Sequence, residues 1–411
     1  MNLVFADPGL LNNLGHHANS CRHIVFEARR RGIPSAVLAY NQIEDFLRDE
    51  LLAIPWFRCN PYGTYDDDPL CGWLSNFDFM ANVTQEDFSR LHGVGRDDLI
   101  FLNSAGPAQL AALLRWVQAL PEEQRPTVIV EFGQYAGLMP RETDQGIQLS
   151  LCYQGDPRPL LLRYVAKKFL SQGEHPWLHL ATFDAQASAI YEKLFDHPVH
   201  ALPLSNRAVT GCRDRTGTRP VTIALLGHQR LEKGFGFVPE LAGRLLSLQP
   251  DIRILVHNGA PDLCVDLQNQ LRAMAAADPR LILDERPAGP ELWGQLLDQS
   301  DLMVCPYYRD HFISTYSALA SEAIANAIPL VVPSRTTMAI LLQRFGSPGI
   351  VYDDPSDRSS PEIVLQGVMA ALHHFDALAT RAKVASQQWE ALNGPSQLLD
   401  TMLSWHAARS R

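Results

Sequence analysis

The stretch that most constrains the fold is residues 301–335, DLMVCPYYRDHFISTYSALASEAIANAIPLVVPSR. Short apolar runs at residues 302–305 and 330–332 predict two buried strands. Between them the sequence predicts a polar loop and then a helix of small residues over positions 314–327, which a proline stops. Strand, loop, helix and strand form one βαβ step of a parallel sheet, and ligands bind such sheets at the carboxyl ends of the strands.

The predicted helix has polar residues placed for a ligand. Ser314, Thr315 and Ser317 crowd its start, where unpaired N–H groups and the helix dipole favour an anion such as a diphosphate. Glu322 falls on the same face as Thr315 about two turns further on, roughly 10 Å away, which suits the paired hydroxyls of a sugar. The alternative is that a hydroxyl residue merely caps the helix and Glu322 lies in solvent.

Residues 321–332, SEAIANAIPLVV, resemble the donor-binding signature of GT-B fold glycosyltransferases, and within that class the family-four-like retaining enzymes of glycosyltransferase group 1. Two positions depart from the pattern. Ser314 stands where the family often has a first glutamate, and Ala327 stands where it usually has glycine. The resemblance implies an α/β chain with the GT-B fold, in which two Rossmann-like doubly wound domains face a central cleft.

A second motif, IALLGHQRLEKGFGF at residues 223–237, contains a glycine and cations after a predicted buried strand. Gly227 ends the strand, and Arg230 and Lys233 follow on a loop at its carboxyl end, where cations can clamp phosphates. The loop resembles the donor-phosphate loop of GT-B enzymes. Lys233 matches that loop in place, His228 stands where the family has arginine, and Arg230 is the residue expected to substitute for it.

The resemblance implies one set of site residues for a nucleotide-sugar donor. The residues given catalytic roles are Lys233, Arg230, Glu322 and His16. The residues expected to bind the donor are Gly15, Gly227, Lys233, Arg230, Arg286, Ser314, Thr315, Tyr316, Ser317 and Glu322. Lys233 and Arg230 would stabilise the departing diphosphate, and Glu322 would hold ribose or sugar hydroxyls. No metal and no other cofactor is expected, since the cations neutralise the charge.

The N-terminal half also opens with a predicted βαβ unit. The unit consists of a strand at residues 2–6, a helix at 18–31 and a strand at 35–39. The triplet Gly15-His16-His17 lies between the first strand and the helix. The triplet resembles the loop of the fold that faces the cleft, so we expect Gly15 to meet the donor and a histidine to bond a phosphate or acceptor oxygen. The alternative is that both histidines point to water.

Two further places in this half bear on function. Many relatives carry a catalytic-site histidine after a strand where this chain has Gly133, and Glu131 and Gln134 are the nearest polar candidates. Residues 56–96 are aromatic and turn-rich, which predicts an insertion that shapes a substrate site. Their Asp66-Asp67-Asp68 triplet has no strand leading into it, which favours a solvated acidic loop over a metal site.

The whole chain of 411 residues is long enough for two domains. We expect an acceptor-side domain at residues 1–204, a linker at 205–220, a donor-binding domain at 221–393 and a final helix at 394–411 that returns to the first domain. Seven scattered cysteines without a CxxC pair indicate a reducing compartment, so a cytoplasmic protein is expected. A net charge of −10 and a pI near 5.8 argue against nucleic acid as a partner.

The function expected from the sequence is transfer of a sugar from a nucleotide sugar, such as a UDP- or GDP-sugar, to a glycan, a lipid-linked acceptor or a small molecule. The basic helix LLLRYVAKKFL leaves peripheral contact with the inner face of a membrane open, against the alternative of a solvated helix face. A carboxylate–histidine set would favour an epimerase or hydrolase of the same fold. Ser314 and Gly133 would favour a module that binds nucleotide sugar without turnover.

Overall fold

A computed structural model describes residues 1–13, 16–66, 68, 70–133, 136–144, 146–152, 155–171, 173–208, 213–354 and 359–409. The chain divides into two compact units. Unit 1 comprises Met1–Ser205 and Pro395–Arg411, and unit 2 comprises Asn206–Gly394.

Unit 1 is built on a seven-stranded parallel sheet in the order β3-β2-β1-β4-β5-β8-β9. The strands of the unit are β1 (Leu3–Asp7), β2 (Ser35–Tyr40), β3 (Ala53–Phe57), β4 (Leu99–Leu102), β5 (Thr127–Glu131), β6 (Leu138–Thr143), β7 (Gly146–Leu151), β8 (Leu178–Thr182) and β9 (Val199–Ala201). β6 and β7 form a separate antiparallel hairpin. The order reverses between β1 and β4, so their carboxyl ends flank the place where doubly wound sheets bind ligands.

Helices cover this sheet. They are α1 (His17–Arg30), α2 (Asp45–Leu51), α3 (Gly72–Ser89), α4 (Pro107–Ala119), α5 (Arg158–Phe169) and α6 (Ala185–Phe195). The central strands β1, β4 and β5 are buried along their whole length, as expected for a parallel sheet whose faces are both covered.

Unit 2 repeats the plan with a six-stranded parallel sheet in the order β12-β11-β10-β13-β14-β15. Its strands are β10 (Val221–Leu225), β11 (Ile252–His257), β12 (Leu281–Asp284), β13 (Leu302–Val304), β14 (Leu330–Pro333) and β15 (Gly349–Tyr352). Its helices are α7 (Val238–Leu248), α8 (Val265–Ala277), α9 (Pro290–Gln299), α10 (Arg309–Phe312), α11 (Ala318–Ala325), α12 (Thr337–Arg344), α13 (Pro361–His373) and α14 (Phe375–Leu392). Here the order reverses between β10 and β13.

The last helix, α15 (Pro395–Arg409), belongs to unit 1 although the chain reaches it from unit 2. Arg31 donates to Asp400 at 2.5 Å and also to the hydroxyl of Ser396. At the other end of the helix, His406 Nδ1 lies 2.8 Å from the Thr127 hydroxyl. Side-chain bonds therefore tie both ends of α15 to elements of unit 1.

The predicted helix over residues 314–327 is wrong at its start. α11 begins at Ala318, and the Ser317 hydroxyl caps it by accepting from the Ala320 amide. The preceding hydroxyl and β-branched residues compete with helical hydrogen bonds and so belong to the loop. Thr315 is not helical, and Glu322 lies about one turn from the start, roughly 6 Å along the axis.

Residues 56–96, which were predicted to be aromatic and turn-rich, contain the 18-residue helix α3, whose Phe77, Ala81 and Phe88 are buried in the core of unit 1. Its polar and apolar residues alternate too irregularly to give a clear helical period. Strands β3 and β15 and the β6–β7 hairpin were not predicted.

Among the described residues, no single helix has the length and apolar composition needed to cross a bilayer. One pair of helical segments, Pro361–His373 and Phe375–Arg409, passes that test jointly on length and composition, with a bend of 85° between them.

Candidate functional site

Two loops meet where the strand order of unit 2 reverses. Gly234, in the loop after β10, has a φ of +73°, and a Cβ on it would lie 2.1 Å from the carbonyl oxygen of Pro306 after β13. The amide of Tyr308 donates to the carbonyl of Glu232 at 2.8 Å. Only glycine therefore permits this close approach, which fixes the loop that carries Lys233 against the loop that leads to α11.

Lys233, on the first of these two loops, is a partly buried cation. Its side chain is half-buried, and its Nζ lies 5.7 Å from the centroid of the Tyr307 ring. Within the described part of the chain, no carboxylate lies within ion-pair distance of this Nζ. Burial, and secondarily the neighbouring Arg230, lower the pKa of Lys233 to about 8. An anionic ligand beside this amine would favour its charged form and raise its pKa again.

Among the described residues, three buried side-chain atoms that follow β10 or β13 have no hydrogen-bond partner. They are the Ser314 hydroxyl, the Thr315 hydroxyl and His228 Nε2. Tyr307, whose ring lies 5.7 Å from Lys233 Nζ, is itself buried. Buried polar groups nearly always have partners, so unpaired ones at a sheet edge indicate a place for a polar ligand.

Glu322 is buried beneath this edge and is not exposed to solvent. Its Oε2 accepts from Trp293 Nε1 at 2.7 Å, and its Oε1 accepts from the Asn206 side-chain amide at 3.2 Å. Burial raises the pKa of Glu322 to about 7, against the two hydrogen bonds that lower it. Each carboxylate oxygen keeps the capacity for one more hydrogen bond.

His257, the last residue of β11, supports the glycine after β10. Its Nδ1 accepts from the amide of Gly227 at 3.3 Å, and its Nε2–H donates to the carbonyl of Arg286 at 2.9 Å. These two bonds fix the tautomer of the ring. Sequence reasoning missed His257, although a polar residue at the carboxyl end of a buried strand was the available signal.

Unit 1 has a polar cluster of its own where its strand order reverses. The cluster consists of Asp7 at the end of β1, Asn103 and Ser104 after β4, Glu131 at the end of β5, and His17 at the start of α1. All five are buried. Parallel strands bring their carboxyl ends to the same edge, and so the cluster joins residues that are up to 124 positions apart in the sequence.

Hydrogen bonds connect this unit 1 cluster. His17 Nδ1 lies 2.9 Å from each carboxylate oxygen of Asp7, and the Asn103 amide donates to Asp7 at 2.8 Å. The Ser104 amide donates to Glu131 at 2.8 Å. Burial raises the pKa of Glu131 to about 8, the Ser104 hydrogen bond opposes that rise, and the charge of Asp7 adds to it.

No protein-family model and no curated protein sequence matches this chain. Solved structures do match it. The chain is similar to sucrose-phosphate synthase from Thermosynechococcus elongatus, with a TM-score of 0.67 and 10% identity over 99% of both chains. It is similar to HepE from Anabaena in complex with UDP-glucose, with a TM-score of 0.62 and 11% identity over 99% of this chain and 100% of that chain. It is also similar to a glycosyltransferase from Rickettsia africae ESF-5, with a TM-score of 0.60 and 9% identity over 100% of this chain and 99% of that chain.

The chain has the GT-B fold. The predicted α/β class, with two Rossmann-like parallel-sheet domains, is confirmed. At 9–12% identity these matches establish the GT-B fold alone, so the roles of individual residues stay predictions.

Most of the donor-binding residues predicted for the GT-B fold lie along the carboxyl edge of the unit 2 sheet. Arg230 is half-exposed and pairs with Glu232 at 2.9 Å, so its charge is already partly compensated. Arg286 is 70% exposed and pairs with Asp284 at 2.5 Å. Tyr316 is half-buried in the loop before α11.

The predicted residues of unit 1 are only partly described. Gly15 and Gln134 lie outside the described residues. His16 Nε2 lies 3.1 Å from the Ser104 hydroxyl, and the His16 ring stacks on that of His17 with 4.3 Å between centroids. His17 is buried, which excludes the alternative that both histidines point to water.

Among the described residues, no group of three potential metal ligands is found. Asp68 of the acidic triplet accepts from the amides of Leu70 and Cys71 just before α3. Asp67 lies outside the described residues.

Proposed function

We propose that this protein is a glycosyltransferase that binds a nucleotide sugar at the carboxyl edge of the unit 2 sheet and moves the sugar to a hydroxyl of an acceptor. The observation that carries the proposal is Lys233. Its amine is half-buried, has a lowered pKa and has no carboxylate partner among the described residues. A cation in such a position is suited to bind an anionic ligand.

The remaining groups of this edge fit a diphosphate. The unpaired hydroxyls of Ser314 and Thr315 can donate to phosphate oxygens. Gly227, with a φ of +109°, lets a ligand approach the backbone beside Lys233, whose Nζ lies 3.9 Å from the position a Cβ would take. Negative charge grows on the diphosphate as the sugar leaves, so a fixed cation stabilises the transition state more than the bound donor.

Other parts of the proposal concern the sugar, the cofactor and the acceptor. Glu322 holds a ribose or sugar hydroxyl with its remaining acceptor capacity, and Arg230 assists Lys233, so the transfer needs no metal or other cofactor. The acceptor is a glycan or lipid-linked hydroxyl. Exposed Leu160 and Tyr164 on α5, beside Lys167 and Lys168, offer a face for peripheral membrane contact.

The choice of UDP-glucose as the first donor to test follows from the similar structures, since HepE has been solved with UDP-glucose. A GDP-sugar is the second choice. The bond between Asp7 and His17 favours one further candidate, hydrolysis of the nucleotide sugar, because a carboxylate-bound histidine can activate water.

The test measures binding of UDP-glucose, UDP, GDP-mannose and GDP to the full chain by calorimetry, followed by the release of nucleoside diphosphate in the presence of glycan and lipid acceptors. We expect one donor to bind, and Lys233→Met to weaken that binding by about tenfold or more. Arg253→Met is the matched control, since Arg253 is an exposed cation near the amino end of β11. Equal binding by both variants, or no binding of any nucleotide, would contradict the proposal.

A further inference from the structure

Four histidines lie together at one edge of the unit 1 sheet, and we call them the histidine edge. His179 belongs to β8 and His200 to the edge strand β9, with 6.2 Å between their ring centroids. The strands bring these two side chains to one face, because Ala181 is in register with His200 and residues 179 and 181 of a strand point the same way. His175, just before β8, lies 6.2 Å from His197, just before β9.

Trp405 of α15 covers two of these rings. It stacks on His179 with 5.0 Å between centroids and 22° between planes, and it lies 5.2 Å from the ring of His200. The buried residues of α15 are all in its first half, namely Pro395, Leu398, Leu399 and Met402. Residues 403–409, its second half, include no buried side chain. The second half therefore depends on partly buried contacts, of which the stacking of Trp405 is the largest.

The docked position of α15 does not favour a second proton on His179. Its Nε2 is buried and has no hydrogen-bond partner within the described part of the chain. The titratable groups that act on it are both basic, His200 of β9 and Arg409 of α15. Burial, and next these two groups, lower the pKa of His179 to about 4. An imidazolium here would be buried, unpaired and beside other cations.

Three further histidines of this face also favour the neutral ring. Burial is the largest cause that lowers the pKa of His175, His197 and His406, and nearby basic groups lower it further. The charged groups that act on His406 and Arg409 from other elements are of both signs, and they are Arg96, Arg125, Glu122, Asp97, Asp98 and the N-terminal ammonium. The aspartates oppose the lowered pKa of His406 only in part.

We propose that the histidine edge is a pH-sensitive switch for the second half of α15, and that protonation of His179 in mildly acidic surroundings releases Trp405 and the helix end from the unit 1 sheet. The switch involves residues of unit 1 alone, so it does not rest on the proposed function. The first half of α15 stays docked, because its contacts are the apolar core and the ion pair between Arg31 and Asp400.

The direction of the pH dependence follows from the two states of His179. With the helix end released, the ring is open to water and its pKa returns to the ordinary 6.5. With the helix end docked, the pKa is about 4. The released state therefore binds the proton more tightly, so the docked state keeps its full advantage above pH 6.5 and loses it as the pH falls toward 4.

Hydrogen–deuterium exchange of the full chain, read by mass spectrometry on peptides from the two halves of α15, tests the switch. Exchange rates are divided by those of an unstructured peptide at the same pH. From about pH 7.5 to about pH 5, protection of the second half should fall by about 30-fold, the factor that pKa values of 6.5 and about 4 imply. The first half should keep its protection.

His179→Phe keeps an aromatic ring of similar size beside Trp405 but cannot take up a proton. Protection of the second half should then change by less than about threefold over the same range. His179→Gln, which also cannot titrate there, replaces it if His179→Phe melts early. His92→Phe, at an exposed histidine after α3, is the matched control and should keep the wild-type response. Trp405→Ala should leave the second half unprotected at both ends of the range.

A wild-type second half that stays protected at the acidic end of the range would overturn the switch. An equal loss of protection in wild type and in the folded variant at position 179 would also overturn it, since another group would then be titrating. Loss of protection throughout unit 1 at the same pH would overturn it as well, because acid would then unfold the whole unit and not release the helix end.

Discussion

The amino nitrogen of Lys233 lies 5.7 Å from the centre of the Tyr307 ring, and Tyr307 stands on the loop that leads from β13 toward α11. The loop after β10 thereby contacts the loop after β13. An amine without a carboxylate partner among the described residues and a helix start, both suited to anions, share one edge of the unit 2 sheet. The following predictions test this edge and the cluster in unit 1.

Donor affinity should depend on pH through Lys233. Its pKa of about 8 in the free protein means that the amine loses its proton as the pH rises through 8, and an anionic diphosphate binds the protonated form better. Titration of UDP-glucose between pH 6.5 and pH 9.5, values that bracket this pKa, should therefore show weaker binding at the alkaline end. Lys233→Met should bind weakly at every pH. A parallel decline in both proteins would contradict this role.

Lys233→Ala should reduce turnover more than Arg230→Ala. Arg230 is half-exposed and already paired with Glu232, so solvent and the pair screen its charge. We expect a loss in kcat of roughly 100-fold for Lys233→Ala and less than about tenfold for Arg230→Ala. Steady-state kinetics with saturating donor separates the two. Changes confined to the KM for the donor would show that the two cations bind the diphosphate but do not stabilise it as it leaves the sugar.

Glu322→Gln should destabilise unit 2. Both carboxylate oxygens accept from N–H donors, Trp293 and Asn206, and an amide would turn one donor of its own toward one of them. Losing a buried hydrogen bond in this way costs about 1–3 kcal/mol. Urea unfolding at alkaline pH, where Glu322 is ionised, measures the effect. Glu291→Gln, at an exposed position in the first turn of α9, should change nothing.

Glu131→Gln should remove a pH dependence of stability. The pKa of Glu131 is raised from 4.5 to about 8, so between these values the folded chain holds a proton that the unfolded chain has released. The free energy of unfolding contributed by Glu131 therefore falls as the pH rises from 4.5 to 8. Unfolding curves at the two ends of this window should differ less in the variant. Glu123→Gln, which alters an exposed side chain, should keep the wild-type difference.

Gly234→Ala should lower stability, whereas Gly236→Ala should not. The first glycine has a positive φ and would place its Cβ 2.1 Å from the Pro306 carbonyl oxygen, and the second would meet only Leu231 at 3.6 Å. The left-handed backbone alone costs an alanine about 1–2 kcal/mol, and the clash adds to it. Thermal melting of the two variants gives the comparison, and equal melting temperatures would show that the two loops are not held together.

The sheets could be predicted from the sequence because parallel strands covered on both faces appear as short continuous apolar runs. The runs that became β14 and β10, the second of which lies just before Gly227, are examples. The start of α11 could not be predicted, because the helical spacing of residues on one face continues back to Thr315. Hydroxyl residues such as Ser314, Thr315 and Ser317 prefer capping positions to the helix interior. α3 was missed since its buried residues become recognisable only against the helix and sheet they contact.

The site in unit 1 was mostly beyond prediction from the sequence. His16 and His17 were expected to contribute, but the bond from His17 to Asp7 depends on a ring orientation that Gly9 imposes by contact. Tyr62 reaches the same ring from 45 residues further along the chain. Glu131 was noted only as a polar residue near a strand end, and its raised pKa follows from burial that no local pattern reveals.

Because α15 belongs to unit 1, the contacts between α15 and the rest of unit 1 can form only after the end of the chain has been synthesised. A ribosome releases the strands of the unit 1 sheet early, but Arg31 and Thr127 meet Asp400 and His406 only after unit 2 has emerged. Unit 2 is continuous in sequence and can fold as soon as Gly394 is free. A stop codon shortly before Pro395 would therefore damage the half of the protein that lies furthest from it in the gene.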